Sequence, residues 1–313
     1  MSTEATKAFH GLDIGGTKIE LVAFVEQEGS LHERHRRRVA TPREDFAAFE
    51  QAVIDLVTEA DTALGLTASV GLGLPGIIDP VTGRQLSSNV PALNGHIVAQ
   101  TLGERLARPV FIGNDCQCFA LSEAQGGAAE GLPSMFGAII GTGAGGGYCV
   151  GGRLLTGYNG IAGEWGHWSL PAELLQRYQL PVLDCACGLR GCLERYVSGT
   201  GLAWLHRHLS GEAAEAAALE VRARAGDPIA QRTLEAHLDL LAHALARIVL
   251  AYDPHALVLG GGLSKLAYLY ERLPAAMSRH LFPGLRVPPV RAPVFGDAGG
   301  ARGAALLARQ RSH

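Results

Sequence analysis

The sequence predicts an α/β protein of two domains built on one repeated plan, with a cleft between the halves. Two features of the chain point to this. A strand–glycine turn–strand unit begins at Phe9 and another begins at Phe136. Each leads into alternating strand and helix patterns, as expected of sheets covered by helices. A Gly- and Ala-rich segment over 125–131 is the expected hinge. The first domain is expected over 1–124, completed by a last helix at about 297–313, and the second over 125–296.

Phe9–Ile14 is a short apolar run ending in Gly15-Gly16, and Lys18–Val25 is its hairpin partner. The basic run His35–Arg38 reads as the solvated end of a strand. Thr41-Pro42 breaks the chain, and Phe46–Leu64 then has helical spacing at Phe46, Phe49, Val53, Leu56, Val57 and Ala60. Val70–Leu74 is a buried strand stopped by Pro75-Gly76, and 79–95 is a loop. Val98–Leu106 is helical, Val110–Gly113 a strand and Asp115–Ala124 a helix. In the second half Phe136–Ile140 is a strand, Gly141–Gly147 its turn, and Tyr148–Leu155 supplies the next strands. Trp165–Tyr196 is loop-rich, helices run to Tyr252, Ala256–Leu259 is a strand, and Gly300–Ala308 is the last helix.

The chain has 313 residues, of which 47% are hydrophobic and 18% charged, with a net charge of −3. It is long enough for one large core or two, and it has no basic excess to suggest a nucleic-acid partner. Met1–His10 lacks the apolar core of a signal peptide, and no run approaches the roughly twenty apolar residues of a membrane span, so a cytoplasmic protein is expected. Cys185, Cys187 and Cys192 form a tight group apart from Cys116, Cys118 and Cys149. In such a chain a tight cysteine group favours metal over a disulfide framework.

Three glycine clusters follow predicted strands. In Asp13-Ile14-Gly15-Gly16-Thr17-Lys18 the glycines let backbone N–H groups face an anion; Thr17 adds a hydroxyl, Lys18 a positive charge, and Asp13 a carboxylate for Mg²⁺, directly or through water. The spacing is neither that of a Walker A loop nor of a dinucleotide fingerprint. Five of the seven residues in Gly141–Gly147 are glycine, an entropic cost that close approach to a nucleotide's phosphates would offset. Gly260-Gly261-Gly262 could pack against adenine and ribose.

Asn114-Asp115 stands at the carboxyl end of a strand, where open α/β sheets bind ligands. Asp115 could take a proton from an attacking hydroxyl, and it could equally cap a helix. His167 with Cys185, Cys187 and Cys192 makes a complete tetrahedral Zn²⁺ set. With every position filled by protein the ion would be structural, fixing a loop that carries Glu164, His167 and Glu194.

Asp13–Lys18, Gly113–Asp115, Gly141–Gly147, Gly163–His167, the Cys185–Glu194 run and Gly260–Gly262 occur in the order found in the ROK sugar kinases, and almost the whole chain resembles that family. Thr41–Arg43, Asn89–Ala92, Ser198–Trp204 and 296–300 support the resemblance, which is nearest to members phosphorylating N-acetyl-D-glucosamine. It implies an actin-like ATPase (ribonuclease H-like) duplicated fold, structural zinc, a homodimer, and transfer of phosphate from Mg·ATP to the 6-hydroxyl of a small-molecule sugar. It also implies residue roles. Asp115 is the catalytic base, and Gly76, Asn89, Asn114, Glu164, His167 and Glu194 complete the sugar site. Gly11, Leu12, Asp13, Ile14, Gly15, Gly16, Thr17 and Lys18 bind ATP, with Gly141, Thr142, Gly143, Ala144, Gly145, Gly146, Gly147, Tyr148, Gly261 and Gly262. Gly163–His167 also occurs in fructokinase-like relatives, so fructose and glucose remain alternative substrates. The family also includes sugar-responsive repressors, but too few residues precede the first strand for a helix-turn-helix module, so no DNA-binding role is expected.

Overall fold

The computed structural model describes residues 7–87, 89–296 and 299–312. In the first half the apolar runs pair as expected. β1 (Ala8–Ile14) and β2 (Lys18–Gln27) form an antiparallel hairpin, extended by β3 (Ser30–Ala40). The basic run lies inside β3 rather than at a strand end, because β3 is an edge strand with few buried side chains and can carry charge along its length. There follow α1 (Phe46–Leu64), β4 (Ser69–Leu74), the small hairpin of β5 (Ile77–Ile78) and β6 (Gln85–Leu86), α2 (Val98–Leu106), β7 (Val110–Asn114) and α3 (Asp115–Ala124).

The second half opens with β8 (Ser134–Ile140), β9 (Ala144–Val150) and β10 (Arg153–Leu155). Helices α4 (Ala172–Tyr178), α5 (Glu194–Val197), α6 (Gly199–Ser210), α7 (Ala216–Arg224) and α8 (Pro228–Tyr252) come next. β11 (Leu257–Gly260), α9 (Ala267–Ser278), β12 (Val290–Arg291) and α10 (Gly299–Arg311) complete the chain.

The first sheet is ordered β3–β2–β1–β4–β7 and the second β10–β9–β8–β11–β12. In each, the central strand pairs antiparallel with its hairpin partner and parallel with the strand on its other side. One winding plan is therefore used twice, as the repeated strand–turn–strand signal predicts.

The chain divides into two compact units. One holds the described residues up to Gly127, Arg153–Ala162, and those from 299 onward; the other holds Ala128–Gly152 and Gly163–Gly296. Arg153–Ala162 was expected with the second domain but groups with the first. Gln117 on α3 explains this, its buried amide donating to the carbonyls of Gly160 (2.9 Å) and Ala162 (3.2 Å).

Strand alternation sorts the first unit's core. Leu12 and Ile14 of β1 face Phe49 and Val53 of α1, while Phe9 faces Ala301 and Ala305 of α10. Small residues let α10 lie against the sheet and α3, since a Cβ at Gly11 would overlap the Ala301 carbonyl and one at Gly303 the Cys118 carbonyl. Buried His10 bonds Asp61 Oδ1 at 2.8 Å, and Arg108 pairs with the same carboxylate, tying β1, the end of α1 and the start of β7 together. In the second unit α8 is buried over most of its length, capped by Asp227, which accepts from the amides of Ile229 and Ala230. Its His237 is inside, bonded to the Val197 carbonyl (2.9 Å) and the Tyr268 hydroxyl (3.2 Å).

Candidate active site and metal centre

Asp115 is the first residue of α3, directly after the carboxyl end of β7. Asn114 is the N-cap, its Oδ1 accepting from the amides of Cys116 (2.9 Å) and Gln117 (3.4 Å). Asn114, rather than Asp115, therefore caps the helix. The Asn114 side-chain amide donates to the Gly76 carbonyl at 3.2 Å, which joins two predicted sugar residues. Gly76 has φ +87°, and a Cβ there would overlap the Leu86 carbonyl, so the Pro75-Gly76 turn against β6 needs glycine.

Asp115 Oδ1 accepts the Cys116 amide at 2.9 Å. Part of the residue's surface is open, yet the carboxyl is surrounded by protein, and this burial raises its pKa above the ordinary aspartate value. Hydrogen bonds from the Cys116 amide and thiol oppose the rise. A carboxylate with a raised pKa is a better proton acceptor than a solvated one.

The first glycine turn is held in the same unit. Gly15 N–H donates to the Lys18 carbonyl (2.9 Å), and Thr41 closes the turn from outside with its hydroxyl on the Gly15 carbonyl (2.7 Å). Thr41 therefore has a structural task that its place in the supporting motifs does not reveal. Thr17 is exposed, and Gly15, Gly16 and Lys18 are partly open. Asp13 lies against the start of α10, where a Cβ at Gly300 would sit 2.6 Å from its carboxyl carbon. Gly11 and Leu12 are buried in β1, as is Ile14. Asn89 is exposed, with its carbonyl over Gly16. Asp297 and Ala298, within the supporting 296–300 segment, lie outside the described residues.

In the second unit the predicted turn is shorter than its glycine content suggests. Only Gly141–Gly143 turn; Ala144–Gly147 belong to β9, where glycine leaves room for neighbours rather than making a bend. A Cβ at Gly146 would meet the Gly137 carbonyl and, at 2.7 Å, the Phe136 ring. The turn is braced from three sides. Gly199 N–H donates to the Gly141 carbonyl (2.7 Å), Thr200 Oγ1 to the Thr142 carbonyl (2.8 Å), and Glu194 Oε2 accepts the Ala144 amide (2.8 Å). Glu194, predicted as a sugar ligand, thus has one carboxylate oxygen on the glycine turn. Gly261, at φ +77°, crosses so near the turn that a Cβ would lie 2.6 Å from the Ile140 carbonyl carbon, which brings the second and third glycine clusters together. Gly262 is exposed. The Tyr148 hydroxyl donates to the Tyr252 carbonyl (3.0 Å) and its ring packs beside Phe136 and Tyr252, so this side chain is engaged in the core.

His167, Cys185, Cys187 and Cys192 converge, their ligand atoms all lying within 4.8 Å of one another. Cys187 and Cys192 sulfurs are 3.7 Å apart and Cys185 Sγ is 3.8 Å from His167 Nδ1. Thiolates about 2.3 Å from a tetrahedral zinc are separated by about 3.8 Å, so these distances fit that ion. His167 Nε2 points the other way, to Glu164 Oε2 at 3.8 Å. One imidazole therefore links the cysteine cluster to Glu164. Buried Trp165 fixes this segment by donating Nε1–H to the Gly145 carbonyl at 2.7 Å. Neither that tether nor the Gln117 clamp is visible in the sequence, where each is one polar or aromatic residue beside a stronger motif.

Among the described residues, no helix is long and apolar enough to cross a membrane. A model of the ROK family matches residues 9–311. The chain is 45% identical over 299 residues to the N-acetylgalactosamine kinase AgaK of Shewanella sp. (strain ANA-3), covering 96% of each. It is 42% identical over 301 residues to the N-acetyl-D-glucosamine kinase of Pectobacterium atrosepticum, covering 96% of this chain and 98% of that one. Among solved structures it is similar to a ROK hexokinase from Thermus thermophilus, with TM-score 0.85, 34% identity, and coverage of 97% and 99%. A ROK family glucokinase from Streptomyces griseus, in complex with glucose and AMPPNP, matches with TM-score 0.76, 28% identity, and coverage of 98% and 100%.

Proposed function

The chain belongs to the ROK family, and on that premise we propose that it phosphorylates the 6-hydroxyl of N-acetyl-D-glucosamine with ATP, releasing ADP. The observation that carries the reading is Asp115, the first residue of the Asn114-capped α3, standing at the carboxyl end of β7 in the unit that also bears the Asp13–Lys18 turn. The match of the two sheets in strand order and direction supports the actin-like, ribonuclease H-like label for the fold. A cytoplasmic homodimer is proposed with it.

In the proposed reaction Asp115 accepts the 6-hydroxyl proton as that oxygen bonds to the γ-phosphorus. The bond from the γ-phosphorus to the bridging oxygen breaks, and ADP leaves with the electron pair. Backbone amides of Gly16 and Thr17 and of Thr142 and Gly143 hold phosphate charge, with Lys18 beside them, since those of Gly15 and Gly141 donate within their own turns. Gly261 and Gly262 lie along the nucleotide. Magnesium, when bound near Asp13, neutralises phosphate charge. Asn114, Glu164, His167 and Glu194 hold sugar hydroxyls, with Gly76 and Asn89 in the same site. His167, Cys185, Cys187 and Cys192 would hold a structural zinc, which would keep Glu164 and His167 in place.

N-acetylgalactosamine, the 4-epimer, is the second reading, favoured by the 45% identity to a kinase named for it. An acetamido group needs room and a polar partner, and Asn89–Ala92 is the proposed wall. ADP release should be compared on N-acetylglucosamine, N-acetylgalactosamine, N-acetylmannosamine, glucose and fructose. We expect the highest kcat/KM on N-acetylglucosamine. A preference for either sugar lacking the acetamido group would overturn the amino-sugar assignment, and a preference for the 4-epimer would select the second reading.

A further inference from the structure

We infer that Thr41 is a positioning residue, and that the 41–43 segment ties the first glycine turn to the proposed sugar wall at 89–92, so that nucleotide and sugar bind interdependently. The inference rests on the proposed function, which puts ATP phosphate at the turn and the sugar at the wall.

The tie is made by hydrogen bonds at both ends of a short span. At one end the Thr41 amide donates to the Thr17 carbonyl (3.1 Å) and the Thr41 hydroxyl to the Gly15 carbonyl (2.7 Å), so the segment grips the turn on either side of Gly16. At the other end the Arg43 carbonyl accepts the Ala92 amide (2.8 Å). Pro42 stands between these anchors. Its ring fixes its own φ and keeps Thr41 out of the helical region, so the span has little freedom to absorb a displacement at either end. The turn and the wall also meet directly, since a Cβ on Gly16 would lie 3.2 Å from the Asn89 carbonyl.

The wall is built as one piece. The Ser87 amide donates to Asn94 Oδ1 (2.6 Å) and Asn94 Nδ2 donates to the Ser87 carbonyl (2.9 Å), a two-bond clasp across the base of the loop. Within the clasp the Val90 amide donates to Ser87 Oγ (3.3 Å), and Pro91–Leu93 forms a single tight turn closed by the Asn94 amide on the Pro91 carbonyl (3.0 Å). Just beyond it the His96 ring stacks on Phe46, the first residue of α1, with centroids 3.7 Å apart and planes 7° from parallel. The chain from Arg43 to Phe46 therefore receives the wall at two points.

A sugar that settles the wall settles Arg43, and through Pro42 it settles Thr41 and the turn whose Gly16 and Thr17 amides are assigned to phosphate. The converse holds equally, because a coupling between two binding sites is reciprocal. The Thr41 hydroxyl is committed to the Gly15 carbonyl, so it acts through the turn. One hydrogen bond of ordinary strength can supply a factor of about five in such a coupling.

The test is calorimetric binding of N-acetylglucosamine with and without Mg·AMPPNP, a nucleotide analogue that is not turned over, and of Mg·AMPPNP with and without the sugar. The native protein is compared with Thr41→Val, which keeps the shape and loses the hydroxyl, with Thr41→Ser, which keeps the hydroxyl, and with Asn94→Ala, which opens the clasp at an exposed residue. In the native protein each ligand should tighten the other by the same factor. In Thr41→Val that factor should fall about fivefold, while sugar binding to the nucleotide-free protein changes little. Thr41→Ser should restore the factor, and Asn94→Ala should lower it from the wall end. A Thr41 that only stabilised the fold would weaken each ligand alone and leave the factor as it is. An unchanged factor in Thr41→Val, or a serine variant that matches valine, would overturn the inference; should the valine variant not fold, a native factor in Asn94→Ala overturns it instead. If another sugar of the panel gives the higher kcat/KM, it replaces N-acetylglucosamine as the probe, an outcome that corrects the sugar assignment and leaves the test of Thr41 standing.

Discussion

At the residue scale, Asp115 carries opposing demands. Burial raises its pKa, so at neutral pH the ionised carboxylate is held at a cost to the fold. The sign follows from linkage: a group whose folded pKa lies above its unfolded value stabilises below the unfolded value and ceases to as pH rises. Asp115→Asn removes the buried charge, so that variant should melt higher than the native protein at pH 7 while losing turnover. Melting curves of the two proteins without substrate check this; a lower melting temperature for the variant would mean that the carboxylate is better satisfied than its surroundings indicate. The position of Asp115 at the start of a helix was legible because Asn-Asp follows an apolar strand run. Its partner Gly76 was legible only through the family resemblance, since the Asn114 amide that meets it lies 38 positions away.

At the element scale, the sequence signal was strongest where periodicity was long. α1, α2 and α3 begin and end where their patterns predict, because apolar spacing and polar breaks coincide there. The stretch 144–147 was harder. Glycine signals a turn locally, but here most of the run is a strand passing under Phe136 and beside Gly163, and only its neighbours reveal that. The His167–Cys185–Cys187–Cys192 cluster was readable from cysteine spacing, and it yields a prediction. Cys192→Ser should lower bound zinc below one ion per chain, reduce thermal stability, and raise the KM for sugar more than that for ATP, because His167 and Glu164 are held from that loop. Metal content measured by atomic absorption, together with the two KM values, checks it; full zinc occupancy in the variant would contradict the four-ligand assignment. The Asp61 tie is a second case. Asp61→Ala leaves His10 and Arg108 without their shared partner, and should cost about 2–4 kcal/mol in urea unfolding.

At the scale of the whole molecule, the repeated winding plan was visible as two strand–glycine turn–strand signals. The units' boundaries were less visible, since the return of Arg153–Ala162 to the first unit depends on Gln117 bonds that no local pattern encodes. Stability as a function of pH is a property of the whole chain. Burial lowers the pKa of His10 and His206, and brings His237 and His243 from 6.5 to about 4. The unfolded chain therefore binds more protons than the folded one between those values, and stability must fall as pH drops through that window. Asp61 and Asp239, whose pKa values are lowered by hydrogen bonds from Arg108 and His10 and from Tyr178 and His280 despite burial, extend the loss at still lower pH. Urea midpoints at pH 7 and pH 5 should differ in that direction, and equal midpoints would mean that the buried histidines are matched in the unfolded chain.

The central claim is that one carboxylate, placed by a capped helix at the end of a strand, accepts the proton when phosphate moves to the sugar. Phosphorus NMR of the protein mixed with Mg·ATP and N-acetylglucosamine, paired with calorimetric binding of the sugar, tests it most directly. The native protein should form ADP and a sugar 6-phosphate in equal amounts, and Asp115→Asn should bind the sugar with similar affinity yet form product at least about a hundredfold more slowly. Product formation by Asp115→Asn at close to the native rate would contradict it.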